Sequence, residues 1–468
     1  MRLNLCRRWG VIVIVVIFFC WGCKSISNQK TETPNVLIIL TDDMGYGDIS
    51  AYNESAVSTP AIDRIGKEGV ICTDFYVPTP YCAPSRASLL TGRFPLRHGL
   101  IHNPTPDAGI DDIGLSSREI TLAELLSDAG YKTQCIGKWH LGHKEEYFPT
   151  NHGFDDYYGI LYSNDMRPVQ MIHNLDTVSY PVNQNNLTRD YTNRALDFLE
   201  ENKDRPFYLQ FNHAMPHKPL AVSEEFYTPE SPEDLYQDVI NELNWSTDMI
   251  MNKLEELGVL DQTIVIFMSD NGPWYGGDAG GLKGMKATTW EGGIRVPFMI
   301  RFPERFSSDS RVSVPCSSLD VLPTVLTLTQ VEPVKLNTLD GQDITDVLNG
   351  KCTEHQPVFS LHDDQIMSIR HEDFKLFVKS PRSTRLPLDW IDPRAPDDST
   401  IIARAEQAGP EDYPGVFPLK PKEDIQLFDL SQDRTESKDL SVDKPGRVVN
   451  LLQVYEDYRA NFQLPNSK

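Results

Sequence analysis

A cysteine and an arginine stand inside one run of residues, Tyr81-Cys82-Ala83-Pro84-Ser85-Arg86-Ala87-Ser88-Leu89-Leu90-Thr91-Gly92-Arg93. Pro84 suits the first turn of a helix, so Cys82 by itself is also explained as a buried thiol at a helix start. The short pattern Cys-x-Pro-x-Arg is weak evidence. The complete run through Leu-Thr-Gly-Arg is stronger, provided that the chain supplies the acidic and basic side chains that a reactive centre needs.

Acidic side chains follow two apolar runs. Residues 35–40 and 263–268 read as strands that are buried on both faces of a parallel sheet. The first run is followed by Asp42 and Asp43, and the second by Asp270 and Asn271. Ligands of open α/β sheets lie beyond the carboxyl ends of strands, so we expect the two strands to be neighbours and these side chains to meet. Their oxygen atoms favour Ca²⁺ or Mg²⁺ over zinc or copper.

Basic side chains follow a third predicted strand, residues 131–136. Lys138 and His140 come two residues apart directly after it, so both can face the same opening. Such a pair alone is ordinary surface decoration. The sequence has no Cys-x-x-Cys cluster, which argues against a zinc hydrolase.

The elements around these residues indicate an α/β protein. With 468 residues, 40% of them hydrophobic, the chain can bury a large core in one big domain and a smaller one. Apolar spacing predicts helices at 59–65, 120–129, 192–202 and 235–257, and strands at 70–75 and 206–211. From about residue 356 the pattern changes to short strands, including 365–370 and 374–379, then a Pro-rich loop at 382–422, a strand segment and a terminal helix. Residues 166–189 have no firm periodicity and are predicted to be a substrate-facing insertion.

The N-terminus has the pattern of an export signal. Arginines precede an apolar run at 11–19 that is too short to span a membrane, which predicts a signal peptide at 1–22. Gly22-Cys23 resembles the end of a bacterial lipobox, so Cys23 is a candidate for lipidation, and ordinary cleavage nearby is the alternative. Residues 23–33 would form a tether. Removing the signal takes the formal charge from −23 to about −26, which argues against nucleic acid or anionic membrane surfaces as partners.

Four other cysteines, Cys72, Cys135, Cys316 and Cys352, remain in the exported chain. Their even number permits disulfides, but their wide, irregular spacing does not require them.

The run around Cys82, together with the motifs that follow the predicted strands, resembles the sulfatase family, and its arylsulfatase A-like branch in particular. The resemblance extends from about Pro34 to about Leu440. It implies an alkaline phosphatase-like fold: a large, mostly parallel central sheet flanked by helices (residues 34–355), with a small C-terminal subdomain of antiparallel strands and a helix (356–468). It also implies hydrolysis of sulfate esters by a formylglycine made from Cys82.

The resemblance assigns roles to single residues. It implies one calcium ion held by the two acidic pairs and the oxygen at position 82. It matches His217, in a Pro-His-x-Pro run, to a second active-site histidine, whereas His213 has no such counterpart and is expected to be structural. Lys286 matches a second sulfate-binding lysine, with Lys283 as a nearby competitor. The implied site residues are Asp42, Asp43, Cys82, Arg86, Lys138, His140, Ser163, His217, Asp270, Asn271 and Lys286.

These residue types suit the implied reaction, because positive groups must offset the negative oxygens of a sulfate ester. A hydroxyl of the hydrated formylglycine would attack sulfur, and Asp270 would accept its proton. His217, aided by Lys286, would protonate the leaving alcohol. His140 would then help to expel sulfate. The predicted protein is exported to the periplasm or the cell surface of a bacterium, as an outer-membrane lipoprotein. This location suggests a sulfated carbohydrate as substrate. The implied partner is a formylglycine-generating maturation enzyme. A phosphonate or phosphate ester hydrolase on the same scaffold, and a non-catalytic lipoprotein that binds sulfated glycans, are the alternatives.

Overall fold

The computed structural model describes residues 33–105, 113–166, 168–228, 234–274, 276–381, 424–460 and 462. The predicted signal peptide, Cys23, nearly all of the tether and the Pro-rich loop lie outside them. From Thr33 onward the chain forms a single unit. None of the helices in the described ranges is both long and apolar enough to cross a membrane.

The described residues contain sixteen strands and ten α-helices. The strands are β1 Asn35–Thr41, β2 Val70–Cys72, β3 Phe75–Tyr76, β4 Lys132–Lys138, β5 Asp156–Ile160, β6 Met171–His173, β7 Asp176–Ser179, β8 Phe207–Asn212, β9 Thr263–Ser269, β10 Phe298–Arg301, β11 Ser310–Val312, β12 Cys316–Ser317, β13 Val358–His362, β14 Gln365–His371, β15 Phe374–Phe377 and β16 Gln426–Asp429. The helices are α1 Pro60–Lys67, α2 Cys82–Thr91, α3 Pro95–His98, α4 Leu122–Asp128, α5 Leu187–Asn202, α6 Asp234–Glu256, α7 Glu291–Ile294, α8 Val321–Thr329, α9 Thr345–Leu348 and α10 Pro445–Ala460.

Ten strands form a central sheet in the order β11-β2-β10-β9-β1-β8-β4-β5-β6-β7. The five strands from β9 to β5 are parallel to one another, and antiparallel pairs flank them on both sides. The predicted neighbours β1 and β9 are hydrogen-bonded from Asn35–Thr263 to Thr41–Ser269. The expected fold class, a mostly parallel sheet with a small antiparallel subdomain, is confirmed.

Both faces of the central sheet are covered, as the continuous apolar strands require. Val36, Ile38 and Leu40 of β1 belong to one core with residues of α2, α4 and α8. Leu37 and Ile39 face the other core with residues of α1, α5 and α6. Side chains of a strand alternate between faces, so every position of β1 is buried and the sheet is rigid where it ends.

The C-terminal strands form an antiparallel sheet, β13-β14-β15-β16, whose apolar face packs against α10. A buried ion-pair group joins it to the large domain: Lys375 Nζ of β15 lies 2.9 Å from Glu291 Oε1 of α7 and 2.9 Å from Glu436 Oε1. Glu436 Oε2 also accepts a hydrogen bond from the Glu291 amide at 2.8 Å. We call Glu291, Lys375 and Glu436 the glutamate–lysine clamp.

Three predicted elements differ from the structure. The single strand at 70–75 is two strands, β2 and β3, because Thr73 and Asp74 turn the chain between them. The helix predicted from residue 120 begins at Leu122, since Thr121 accepts a hydrogen bond from the Glu124 amide and caps it. Residues 166–189, for which the sequence pattern assigned no helix or strand, contain the β6–β7 hairpin and the start of α5.

Candidate active site

Two acidic pairs meet at the carboxyl edge of the central sheet. Because β1 and β9 run in register, Asp42 and Asp43 emerge beside Asp270 and Asn271. The Asp43 amide donates to Asp270 Oδ1 at 3.2 Å, and Asn271 Nδ2 donates to Asp43 Oδ1 at 2.7 Å. Asp43 has a positive φ of 63°, which an aspartate tolerates better than most residues and which turns the chain sharply behind β1. All four side chains are buried.

Helix α2 begins at Cys82 and carries Arg86 one turn later, so both side chains lie on the same face. Arg86 Nε and Nη2 both lie 2.9 Å from Asp270 Oδ2. Arg86 Nη1 donates to the backbone oxygen of Lys138 at 2.9 Å. The arginine therefore joins α2 to β9 and to the end of β4.

The Cys82 thiol is 1% exposed and lies among charged groups. Its Sγ is 3.1 Å from Lys286 Nζ, 3.4 Å from Asp42 Oδ1 and 4.0 Å from Asp43 Oδ1. Lys286 Nζ is also 2.5 Å from Asp43 Oδ1. The thiol therefore lies between carboxylates and an ammonium group, and burial and then Asp42 raise its pKa.

Lys138 is the last residue of β4, and His140 lies two residues beyond it. Gly137 has a φ of 105°, and a Cβ there would lie 1.7 Å from the Asn212 carbonyl oxygen, so β4 can approach β8 only with glycine at this position. Lys138 Nζ forms an ion pair with Asp42 and donates to Ser163 Oγ at 3.0 Å. His140, at φ 61°, places Nε2 3.3 Å from the Pro104 carbonyl oxygen.

Ser163 and His217 complete one side of the site. Ser163 Oγ lies 3.4 Å from the His217 ring nitrogens. His217 Nδ1 lies 2.6 Å from the Lys218 carbonyl oxygen and 3.0 Å from Asn164 Oδ1. The two oxygens hold the proton on Nδ1 and leave Nε2, 3.7 Å from Asp43 Oδ2, facing the centre of the site.

The structure distinguishes the two candidate lysines. Lys286 contacts Cys82 and Asp43. Lys283 instead donates to the Glu436 carbonyl oxygen at 2.9 Å and lies 3.6 Å from the centroid of the Trp290 ring. Lys283 therefore belongs to the support around the clamp, and Lys286 to the site.

Burial and neighbouring charge shift the pKa values of the site strongly. Burial would raise the pKa of Asp42, but Lys138 and other cations outweigh it and hold the pKa well below its usual value. Burial and then Asp42 raise the pKa of Asp270 to about 7. Burial and then Lys286 lower the pKa of His217 to about 4, and burial and Lys138 lower the pKa of His140 well below its usual value. Both histidines are therefore neutral at neutral pH in the absence of a bound anion.

The donor atoms suit a hard divalent cation. Oxygens of Asp42 and Asp43, Cys82 Sγ and a His217 nitrogen lie within 4.8 Å of one another. The buried Asn271 Oδ1 accepts no hydrogen bond from the described residues, while its amide nitrogen is fully used. Three carboxylates and one free amide oxygen are the ligand types that Ca²⁺ and Mg²⁺ prefer. The residues present therefore fit the expected calcium ion.

Some residues near the site serve it without having been singled out from the sequence. Asn164 orients the His217 ring, and Asn212 Nδ2 donates to the Lys138 carbonyl oxygen at 3.1 Å. Asn164 directly follows Ser163, and that adjacency was the available signal.

His213 is buried with its ring 4.5 Å from that of Phe211, and its ring nitrogens bond to none of the described residues.

A second group of metal-ligand types, Cys316, Asp320 and His355, has a structural explanation. Both Asp320 oxygens accept backbone hydrogen bonds, from Ser317 at 2.6 Å and Gln342 at 2.9 Å. His355 Nε2 lies 2.9 Å from Asp320 Oδ2. Every cysteine in the described ranges is a free thiol.

A family model described as "Sulfatase" matches residues 34–331 of this chain. Arylsulfatase G of Rattus norvegicus is 36% identical over 388 residues, covering 72% of this chain and 73% of its own length. N-acetylgalactosamine-6-sulfatase of Canis lupus familiaris is 34% identical over 378 residues, covering 74% of this chain and 71% of its own length.

Solved structures share the fold over nearly the whole chain. The PsFucS1 sulfatase from Pseudoalteromonas sp. superposes with a TM-score of 0.76 at 24% identity, covering 93% of this chain and 92% of the other. A second structure, in complex with k-i-k-neocarrahexaose, has a TM-score of 0.75 at 24% identity and covers 93% of this chain and 94% of its own.

Proposed function

Because this chain belongs to the sulfatase family and is therefore a sulfuric ester hydrolase, we propose that it desulfates sulfated carbohydrates with a formylglycine made from Cys82 and a bound calcium ion. The observation that carries this proposal is the environment of Cys82. Its Sγ, which marks the position of the formylglycine oxygen, lies at the start of α2 between two carboxylates and the Lys286 ammonium group.

Lys138, Ser163 and His217, on one side of the site, would bind the sulfate group. Lys138 Nζ and Ser163 Oγ are 3.0 Å apart, and Ser163 also contacts His217. A sulfate oxygen placed near Ser163 would meet a hydroxyl, an ammonium and an imidazole together. These donors are fixed in advance by Asn164 and by the close approach of β4 to β8 at Gly137, so they need little reorganisation as negative charge develops in the transition state.

The calcium ion, held by Asp42, Asp43, Asp270 and Asn271, would supply positive charge at the attacking and sulfate oxygens. Arg86 fixes Asp270 by a hydrogen bond from Nε to Oδ2 and by the ion pair between the two groups, and Asp270 would take the proton of the attacking hydroxyl. Since the site carries three carboxylates against Arg86 and two lysines, a divalent cation would give it the net positive charge that an anionic substrate requires.

Two groups would handle the protons of the alcohol and of the residue at position 82. His217 Nε2 faces the centre of the site, and a bound sulfate raises the pKa of a nearby histidine, so His217 could protonate the leaving alcohol, aided by Lys286. His140 is buried and neutral, with Nδ1 unpaired among the described residues. It is suited to accept the proton whose removal expels sulfate and regenerates the aldehyde.

The substrate proposal rests on relatives and on location. The name of N-acetylgalactosamine-6-sulfatase, 34% identical, specifies a sulfated sugar.

We propose that residues 34–355 form the catalytic domain, that residues 356–468 form the subdomain that supports it, and that a signal peptide at 1–22 directs export. Lipidation of Cys23 would place the enzyme on the bacterial outer membrane.

The test is mass spectrometry of the peptide that contains residue 82, from protein of the native host or protein co-produced with a maturation enzyme. Conversion of the thiol to the aldehyde lowers the peptide mass by about 18 Da, as the covalent mechanism requires. The peptide containing Cys135, another fully buried thiol, is the internal control and keeps its mass. An unmodified Cys82 in protein from the native host contradicts the proposal and favours a glycan-binding role.

Turnover of aryl esters then distinguishes a sulfatase from a phosphonate or phosphate ester hydrolase on the same scaffold. Modified protein should hydrolyse aryl sulfates faster than aryl phosphates, and the Cys82→Ala variant should have neither activity. Preference for the phosphate ester would identify a phosphoryl hydrolase on this scaffold. Release of sulfate from defined sulfated oligosaccharides tests the carbohydrate assignment, and good aryl sulfate turnover with no such release refutes it.

A further inference from the structure

A cavity of about 430 Å³ adjoins the site on the side of β5. It lies between the segment after β4, the end of β5 and the β6–β7 hairpin. Its wall includes Phe148, Leu161, Val169 and Ile172, which are largely apolar and wholly or mostly buried. Cavities of a few hundred cubic ångströms with apolar walls are typical of sites for small organic ligands.

The cavity borders the proposed sulfate site at Ser163, which lines it. The Ser163 hydroxyl contacts Lys138 and His217. Leu161, in the same wall, accepts a hydrogen bond from the His140 amide at 3.0 Å. A molecule in this cavity would therefore touch Ser163, one of the residues that would bind the sulfate group, and would lie beside the backbone that holds His140.

The hairpin beside the cavity exposes apolar side chains to solvent. Leu175, Val178 and Tyr180 are 56%, 52% and 61% exposed, within six residues of one another. Leu175 and Tyr180 also line the cavity, whereas Val178 does not. Exposed apolar side chains grouped at the rim of a cavity mark a binding surface.

We propose that this cavity binds the alcohol part of the sulfate ester, and that it selects a ring with an apolar face, packed between Tyr180 and the buried wall. This inference rests on the proposed function, because it concerns the leaving-group side of the same site. A pyranose that presents its C–H face and an aryl ring share this chemistry. Acyclic alcohols do not.

Binding of the free alcohol tests the cavity without catalysis. The probe is 4-methylumbelliferone, titrated by fluorescence into wild-type protein and into the Thr177→Trp variant, whose exposed position lines the cavity. The indole should fill the cavity and weaken binding about tenfold. Val178→Ala, on the same hairpin but outside the cavity, should bind as wild type does.

Kinetics on formylglycine-containing enzyme give the second arm. Tyr180→Ala should lower kcat/KM for 4-methylumbelliferyl sulfate about three- to tenfold, since one aromatic contact is lost, while the inhibition constant of inorganic sulfate stays unchanged. Monosulfated methyl hexopyranosides, assayed by sulfate release, show whether sugar rings depend on Tyr180 as aryl rings do. Unchanged binding in Thr177→Trp, or an equal change in sulfate inhibition, overturns the cavity assignment. Wild-type protein that binds the alcohol but hydrolyses no sulfate ester contradicts the proposed function alone.

Discussion

The glutamate–lysine clamp predicts a large loss of stability in a Lys375→Met variant. All three side chains of the clamp are 0% exposed, and Lys375 is the cation that neutralises Glu436. Removing one partner of a buried pair costs about 3–5 kcal/mol, because the remaining charge stays buried and uncompensated. With about 2.1 cal/mol/K of unfolding entropy per residue over roughly 400 residues, this corresponds to a decrease in Tm of about 4–6 °C.

The loss should depend on pH in a defined direction. In the wild type, burial and then Glu291 raise the pKa of Glu436 to about 7, while Lys375 opposes this shift. Without the lysine, the folded-state pKa of Glu436 rises further above its unfolded value of about 4.5. Below about pH 7 Glu436 is protonated in both folded proteins, so the variant's deficit relative to the wild type grows as pH rises above about 7, towards the higher folded-state pKa of the variant.

Urea denaturation at pH 5 and pH 8 measures both effects. The matched control is Lys351→Met, since Lys351 pairs with Asp346 at 3.9 Å on the surface, and its loss should cost less than about 0.5 kcal/mol. Replacing Glu436 by Gln in the Lys375→Met background should recover part of the stability at pH 8. A deficit below about 1 kcal/mol at pH 8, or an equal deficit at both pH values, would refute the role given to the clamp.

Three further predictions follow from local geometry. Gly137→Ala should lower the free energy of unfolding by several kcal/mol, because the added Cβ would lie 1.7 Å from a backbone oxygen of β8; Gly130→Ala, with positive φ but open space around it, should cost only about 1 kcal/mol. Burial would lower the pKa of His355, but the carboxylate of Asp320 outweighs burial and raises this pKa. The stability that His355 contributes is therefore complete below the usual histidine pKa and is lost as pH rises through the folded-state pKa. Thermal unfolding should show that His355→Gln costs more stability at pH 6 than at pH 9. Chelation with EGTA should lower the Tm of the calcium-loaded enzyme, and added Ca²⁺ should restore it, whereas Asn271→Ala should show a smaller shift.

The parts of the fold that follow from local pattern were predictable. Continuous apolar runs gave β1 and β9, and long helical spacing gave α6, which spans Asp234–Glu256. The split between β2 and β3 was missed because it depends on a turn at Thr73 and Asp74 that has no glycine or proline. The β6–β7 hairpin was missed because strands of three and four residues are too short for alternation to be visible.

The candidate site likewise has residues that local motifs predict and contacts that only the tertiary structure shows. Motif resemblance predicted which charged residues form the site, but only the tertiary structure separates Lys286 from Lys283. Both lysines lie in one loop. Lys283 binds the C-terminal subdomain, whereas Lys286 contacts Cys82. The roles of Asn164 and Asn212 depend on backbone carbonyls from distant segments. Spacing within the chain does not encode these contacts.

The burial of Cys82 sets a time limit on its proposed modification. Strand β1, which Asp42 directly follows, is paired on both sides only when β8 and β9 have joined it, and the last of these strands ends at Ser269. The maturation enzyme would have to act on the unfolded chain before these strands pair, so a change that delays folding should raise the modified fraction. Adding the enzyme to folded, unmodified protein should leave that fraction unchanged.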